Sequence, residues 1–138
     1  MNVKGSYILL LNLRKEGCIS VGKLGNFPFQ KGYYVYVGSA LNGLTQRIER
    51  HLRKQKKLHW HIDYLLQYAN IITIFLKEST FREECFFAQQ LTNHFAAIPG
   101  FGCSDCTCPS HLFYGSKEEI MQFLQSFHMK KYPLKKKP

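Results

Sequence analysis

The sequence has no uninterrupted apolar run near the roughly 20 residues that a membrane-spanning helix needs, which argues against an integral membrane protein. Its apolar start, residues 1–15, lacks a small-residue cleavage site and is more typical of a β-strand than of a signal peptide. Acidic residues are also scarce, with nine Asp and Glu against 19 Lys and Arg. These absences predict a soluble cytoplasmic protein with a strong positive charge.

Cysteine is too sparse for a secreted disulfide framework, since the chain has only five and the number is odd. Cys18 and Cys85 fall in apolar segments, where a cysteine is most simply a small buried side chain.

Aromatic residues make up 14% of the sequence, which excludes a disordered chain. With 138 residues, the chain suits one domain with a real core. We assign residues 1–128 to that domain and 129–138 to a basic tail.

The positive charge predicts an anionic partner. The net charge is +10, and the five lysines of residues 130–138 account for only half of it, which leaves +5 elsewhere. A small domain with this balance most often binds nucleic acid. The alternative is a basic solvated surface that serves solubility.

The residue pattern predicts an α/β (α+β) protein with a small, mainly antiparallel sheet flanked by helices. Strands are predicted at 6–13, 18–21, 33–37, 70–77 and 111–114. Helices are predicted at 44–54, 58–66, 81–97 and 116–127. We expect strand 18–21 to pair back onto the first strand as a hairpin, while 26–30 can form an edge strand.

Residues 33–54 combine an aromatic strand, a glycine turn and a helix. Residues 33–37 are all aromatic or β-branched, as strand residues often are, and residues 38–43 have the chemistry of a turn. The helix that follows has an apolar stripe of Leu44, Ile48 and Leu52 and, beside it, a basic stripe. The basic stripe consists of Arg47, Arg50, His51 and Lys54. A strand, turn and helix of this kind can hold a phosphodiester.

These residues resemble the second half of the GIY-YIG nuclease signature, with Tyr36-Val37-Gly38 followed by Leu44, Arg47 and His51. Gly5-Ser6-Tyr7 is similar to the first half. Segments 58–66 and 101–106 extend the resemblance to one branch of that superfamily, whose members are sometimes fused to endonuclease III-type DNA repair enzymes. The resemblance covers residues 4–115. It implies a divalent-metal-dependent DNA endonuclease with a role in repair.

The resemblance also implies roles for individual residues. Tyr7 or Tyr36 would take the proton from the attacking water, and Arg47 would stabilise the charge on the phosphate. His51 would complete the pocket, and Glu84 would hold Mg²⁺ or Mn²⁺. A free tyrosine has a pKa near ~10, so a tyrosine base needs nearby cations, here Arg47 and the metal, to lower that pKa.

Glu84 is also singled out by its own position. It heads the apolar stripe of the helix predicted over 81–97, where a carboxylate is costly unless it is paired or metal-bound. An arginine partner is the alternative to a metal. Asp63 and Asp105 are fallback carboxylates.

A departure from the GIY-YIG pattern supports a second hypothesis. Ser6 stands at the central position of the first motif, and a long gap separates Tyr7 from Tyr36. If that gap moves Tyr7 off the pocket, the domain would bind nucleic acid without cleaving it.

Residues 103–111 bring three thiols and an imidazole into one loop. Zinc takes such ligands tetrahedrally, and the candidate ligands are Cys103, Cys106, Cys108 and His111. A Cys103–Cys106 or Cys103–Cys108 disulfide and a plain packed turn are alternatives, and His59 or His61 can donate a ligand from elsewhere. A zinc-containing structural or partner-docking domain is therefore a third hypothesis.

A dense cationic surface is predicted around the basic helix. It would contact phosphates without reading the base sequence, although a solvated helix face is the alternative. Its members are Arg50, Arg53, Lys54, Lys56 and Lys57.

Overall fold

The computed structural model describes residues 3–103 and 108–134. Its strands are β1 (Gly5–Leu13), β2 (Gly17–Ser20), β3 (Asn26–Phe29), β4 (Gly32–Ala40), β5 (Ala69–Glu78), β6 (Ala96–Ala97), β7 (Leu112–Gly115) and β8 (Lys130–Lys131). Its α-helices are α1 (Leu44–Leu52), α2 (His61–Leu65), α3 (Glu84–Thr92) and α4 (Lys117–Gln125). The predicted α+β class is confirmed.

Strand β1 is the centre of a six-stranded antiparallel sheet with the order β6-β7-β4-β1-β5-β8. β1 is buried at nearly every position, because helices cover both faces of the sheet. A strand buried on both faces needs a continuous apolar run rather than an alternating pattern. The run Ile8–Leu11 supplies it.

The two faces of β1 belong to two different core clusters. Tyr7 and Leu9 pack with residues of α1 and α2, including Ile48. Ile8 packs on the opposite face with residues of α3 and α4, including Leu91. The sheet therefore separates α1 and α2 from α3 and α4, and a site that uses both helix pairs has to lie at an end of the sheet.

Helix α4 begins where the sequence predicts. The side chain of Ser116 accepts a hydrogen bond from the backbone N–H of Glu119, as an N-cap residue does. Glu118 and Glu119 place negative charge in the first turn, where the helix dipole favours it.

The predicted hairpin between strand 18–21 and the first strand is wrong. β1 is paired along its whole length with β4 on one side and β5 on the other, so it has no edge left for β2. β2 pairs instead with β3 in a separate two-stranded sheet. Only Ile19 of β2 is buried, and Cys18 is exposed rather than buried as expected.

Three other boundaries differ from the predictions. β4 continues through Gly38–Ala40, because β1 supplies partners for these residues. α3 ends at Thr92, and residues 96–97 pair with β7 instead of extending the helix. The segment predicted as a basic tail contributes β8, which pairs with β5 at Phe75 and Leu76.

Within the described ranges, none of the helices combines the length and the apolar character needed to cross a membrane.

Candidate active site

A cavity of about 200 Å³ opens where β4 extends past β7. β7 pairs with β4 only as far as Tyr36, whereas β1 stays paired with β4 to Ala40. The end of β4 is therefore open on one side, at the point where the two helix layers meet. Polar and aromatic side chains line this opening: Tyr7, Tyr36, Arg47, Arg82, Glu84 and His111.

Tyr7 lies across Gly38, its neighbour in the β1–β4 register. A Cβ atom built on Gly38 would overlap the ring and hydroxyl of Tyr7. Position 38 therefore requires glycine because of this close approach, not because of its backbone angles. The same register brings Tyr7 and Tyr36 together, with ring centroids 6.4 Å apart. The β2–β3 hairpin absorbs the long gap between them, so Tyr7 is not displaced from the cavity.

Tyr7 is hydrogen-bonded to a buried histidine. Its hydroxyl lies 2.7 Å from Nε2 of His51, whose side chain sits behind it with 2% of its surface exposed. Burial lowers the pKa of His51 to about 3, and the charges of Lys56, Arg47 and Arg50 act in the same direction. The imidazole is therefore neutral at pH 7. Its Nδ1 atom is buried and has no hydrogen-bond partner among the described residues.

Both cavity tyrosines are harder to ionise than free tyrosine. Burial raises the pKa of Tyr7 to about 12, and the charge and hydrogen bond of Arg47 offset this only in part. Burial also raises the pKa of Tyr36 well above 10. Arg47 acts to lower both pKa values, as expected, but desolvation outweighs it. That a metal lowers them further stays a prediction. Both phenols are protonated at neutral pH.

Arg47 projects into the cavity from the first turn of α1. Its Nη1 donates to the carbonyl of Ser39 at 3.0 Å, on the open end of β4. Its guanidinium carbon stacks 4.2 Å from the ring centroid of Trp60. Because an arginine carries five N–H donors in a rigid plane, these contacts fix the plane and leave donors for an anion in the cavity.

Glu84 enters the cavity from the other side of the sheet. It is the first residue of α3, its side chain is 12% exposed, and Nη1 of Arg82 lies 3.8 Å from its Oε1. Its negative charge contributes to the raised pKa of both Tyr7 and Tyr36. The preceding Glu83 is not among the residues that line the cavity, and it forms an ion pair with Lys77 at 2.9 Å.

The five predicted catalytic residues thus come together from four elements of the fold. Tyr7, Tyr36, Arg47 and Glu84 line the cavity, and His51 supports Tyr7 from behind. Their assigned roles remain predictions. Two further lining residues are Arg82, which no sequence pattern indicated, and His111, which was predicted as a zinc ligand. The only sequence feature that could have indicated a role for Arg82 is its position two residues before Glu84.

The fallback carboxylate Asp63 has a structural role instead. It is fully buried, and its two oxygens accept hydrogen bonds from Arg50 at 2.8 and 2.9 Å. Backbone N–H groups of His59 and Trp60 also donate to it. Burial alone would raise the pKa of Asp63, but these hydrogen bonds together lower it. Asp105, the other fallback, lies outside the described residues.

The predicted cationic surface divides into two groups. Arg50 is held by Asp63, and the Lys56 ammonium donates to the carbonyls of Arg50 and His51 at the end of α1. These two residues stabilise the fold rather than present charge. The side chains left on the exposed surface are Arg53, Lys54 and Lys57.

A larger cavity, of about 720 Å³, adjoins the first and shares Tyr36, Trp60 and Gly102 with it. His59 and Tyr64 also line it. Aromatic rings of this kind can stack on nucleobases.

Cys85, Cys108 and His111 form a group that can hold a metal ion, with ligand atoms all within 4.8 Å of one another. Cys85 is exposed rather than buried as expected. Of the four zinc ligands predicted in residues 103–111, Cys108 and His111 belong to this group. The thiol of Cys103 donates to the carbonyl of Phe101. Cys106 lies outside the described residues. Cys85 was not predicted as a metal ligand, because it lies more than 20 residues before Cys108 in the chain.

His59 and His61 do not join this group. Nδ1 of His61 accepts a hydrogen bond from the backbone N–H of Gly102 at 2.8 Å. Burial lowers the pKa of His61.

A protein-family model described as "Domain of unknown function DUF123" matches residues 6–132. Comparison with curated proteins found no match, and comparison with solved structures found none either. The matched range includes every residue that lines the first cavity.

Proposed function

The chain belongs to this family, DUF123, and we propose that it is a GIY-YIG-type, divalent-metal-dependent endonuclease that acts on DNA, with a role in repair. One observation carries the proposal: Tyr7, Tyr36, Arg47 and Glu84 line a single cavity. Phosphodiester hydrolysis needs a proton acceptor for water, positive charge at the phosphate and usually a metal ion. Tyr7 or Tyr36 would accept the proton, Arg47 would supply the positive charge and Glu84 would hold the metal ion. The net charge of +10 favours a nucleic-acid substrate.

Glu84 is the residue that would hold Mg²⁺ or Mn²⁺. Mg²⁺ binds proteins through one or two carboxylates and keeps several waters, and one half-buried carboxylate at the cavity wall fits that requirement. When bound, the metal supplies positive charge at the scissile phosphate. The thiol and imidazole group beside the cavity suits zinc rather than magnesium.

Tyr7 and His51 act together as the proton acceptor. As water attacks phosphorus, its proton moves to the Tyr7 oxygen while the Tyr7 proton moves to Nε2 of His51, 2.7 Å away. Because the two transfers occur together, no phenolate forms, so the raised pKa of Tyr7 does not prevent its role. The lowered pKa of His51 opposes the second transfer, and a metal held by Glu84 would offset this by making the attacking water more acidic. The protonated imidazole then releases its proton to solvent. The P–O bond to the leaving oxygen breaks, and that oxygen takes a proton from solvent.

Arg47 and Tyr36 act on the phosphate. Arg47 donates N–H bonds to its non-bridging oxygens as negative charge builds up there, with its plane fixed by Ser39 and Trp60. The hydroxyl of Tyr36 orients the phosphate and the attacking water from the cavity wall.

The test is cleavage of end-labelled plain and branched DNA with Mg²⁺ or Mn²⁺. Glu84→Ala should abolish cutting while DNA binding, measured by mobility shift, is retained. Glu83→Ala is the matched control, since it removes the neighbouring carboxylate that pairs with Lys77, and it should still cut. Tyr7→Phe should cut far more slowly than Tyr36→Phe if the proton passes through Tyr7 and His51.

A second function is favoured by the raised pKa of both tyrosines, which is unusual for a base. The domain would then be a nucleic-acid-binding module without catalysis. Salt-sensitive DNA binding with no cleavage in any metal would support it. Neither binding nor cleavage, in a protein that contains zinc, would instead indicate a docking domain.

A further inference from the structure

Cys85, Cys108 and His111 take no part in the proposed reaction, yet they have the spacing of a metal site. Sγ of Cys85 lies 3.9 Å from Nε2 of His111. Around tetrahedral zinc, with Zn–S near ~2.3 Å and Zn–N near ~2.1 Å, a sulfur and a nitrogen are about 3.6 Å apart. The two atoms therefore need to approach by only a few tenths of an ångström to share one ion.

The ligand types select the metal. Two thiolates and an imidazole are soft donors that favour zinc over magnesium or calcium. We propose that the protein binds one Zn²⁺ through Sγ of Cys85, Sγ of Cys108 and a ring nitrogen of His111. This is a different ion from the one at Glu84, and three protein ligands leave a fourth position for water or another donor.

The zinc site joins two parts of the fold that form the cavity. Cys85 is in the first turn of α3, directly after Glu84. His111 lines the cavity, and its backbone is held on both sides, by the carbonyl of Phe101 at 2.8 Å and the N–H of Val37 at 2.9 Å. The ion therefore ties the start of α3 to β4.

The zinc ion has a positioning role for Glu84, and this part of the inference rests on the proposed function. Cys85 and Glu84 are neighbours in one helical turn, so an ion on Cys85 limits movement of the Glu84 backbone. Loss of zinc should loosen the carboxylate relative to Tyr7 and Tyr36. Cleavage should then need more Mg²⁺ for half-maximal rate, with less change in the rate at saturating Mg²⁺.

The experiment measures metal content in the full chain, purified in reductant and dialysed against buffer with Zn²⁺ and then without it. Elemental analysis should find about one zinc per chain. Cys85→Ser and Cys108→Ser should each lower zinc affinity by more than about 100-fold, since loss of even an outer hydrogen-bond partner costs about 10–100-fold. Cobalt substitution gives a second readout, because thiolate ligation to tetrahedral Co²⁺ produces visible absorption.

Cys103→Ser and Cys18→Ser are the matched controls. Cys103 lies in the same part of the chain as Cys108 but is bonded to Phe101, and Cys18 is exposed on the β2–β3 hairpin. Both variants should keep zinc and the cobalt spectrum. Circular dichroism of each variant separates loss of metal from loss of the fold.

Three results would overturn the site. They are a wild-type protein without zinc, a Cys103→Ser variant that loses zinc as fully as Cys85→Ser, and a Cys85–Cys108 disulfide that persists in protein purified in reductant. The two proposals fail separately. Zinc binding without DNA cleavage leaves the site standing and removes the nuclease, whereas Mg²⁺-dependent cleavage without zinc does the reverse.

Discussion

Arg47 and Arg50 lie on the same helix and stack on the same indole, yet the structure uses them differently. Their guanidinium carbons are 4.2 and 4.3 Å from the ring centroid of Trp60. Arg50 forms a two-pronged ion pair with the buried Asp63. Arg47 donates to a neutral carbonyl, that of Ser39, and lines the cavity. The position of the nearest carboxylate decides whether an arginine stabilises the fold or remains available to an anionic ligand.

The largest expected effect is on stability, at Asp63, the partner of Arg50. Asp63→Asn should lower the free energy of unfolding by about 3–5 kcal/mol, the usual cost of removing one partner from a buried ion pair. Arg50 would lose its counter-charge, and because an amide keeps only one acceptor oxygen, either Nη1 of Arg50 or the backbone N–H groups of His59 and Trp60 would face an NH2 donor. Urea unfolding followed by circular dichroism measures this change.

Glu83→Gln is the control for Asp63→Asn. Its partner Lys77 is exposed, and such pairs contribute only about 0–1 kcal/mol. Equal losses in the two variants would contradict the structural role of Asp63.

The next effect is on the cavity side. Arg47→Ala should slow DNA cleavage by about 10²–10³-fold, as loss of one transition-state donor does, with a small effect on stability. Arg50→Ala should lower the free energy of unfolding more than Arg47→Ala does and leave the cleavage rate of the folded protein nearly unchanged. The reason is that the Arg50 charge is already paired with Asp63. Initial cleavage rates and unfolding curves of both variants test this. If Arg50→Ala slowed cleavage of the folded protein as much as Arg47→Ala, the contrast between the two arginines would be refuted.

A smaller effect is expected at the glycine beneath Tyr7. Gly38→Ala should cost about 1–3 kcal/mol, as overpacking does, and should reduce cleavage because the new methyl group displaces Tyr7. Gly17→Ala is the matched strand control, since no described residue lies within 4 Å of the added Cβ. A change of stability within about ±0.5 kcal/mol is expected there. Unchanged cleavage in Gly38→Ala would mean that the position of Tyr7 is not critical.

The effect that is smallest near neutral pH is a pH dependence that originates at His51, behind Tyr7. Since burial lowers the pKa of His51 from 6.5 to about 3, the unfolded chain takes up a proton at this residue before the folded protein does. Stability should therefore fall as pH drops below 6.5, by up to about 1.4 kcal/mol per pH unit. The slope between about pH 5 and 6.5 reports on His51 and on His61, whose pKa burial also lowers, before most carboxylates titrate. His51→Gln should reduce the slope, and an unchanged slope would exclude His51 as a source.

Local signals in the sequence were sufficient for several elements. The continuous apolar run of β1 predicted a central strand, and Ser116 with the acids behind it predicted the start of α4. The spacing of Leu44, Ile48 and Leu52 predicted an apolar stripe on α1. Leu44 and Ile48 are buried as this predicts, whereas Leu52, the last residue of the helix, is 39% exposed. Glu84 stood out because a carboxylate at the head of an apolar stripe is costly. Each of these inferences depends on residues within one or two helical turns or within a single strand.

Other features depend on pairing between distant segments. β2 could not pair with β1 because β4 and β5 already occupy both of its edges. The role of Arg50 was decided by Asp63, which the basic stripe on α1 did not indicate.

The sequence by itself determined the antiparallel α+β class, the basic character and the residue types that the cavity needs. Only the tertiary structure decided which cations are paired, that Cys85 joins Cys108 and His111, and how strongly burial opposes ionisation of Tyr7. The physical reason is that periodicity is a property of neighbours along one element. Charge compensation, metal-ligand distance and desolvation depend on what other elements place around a side chain.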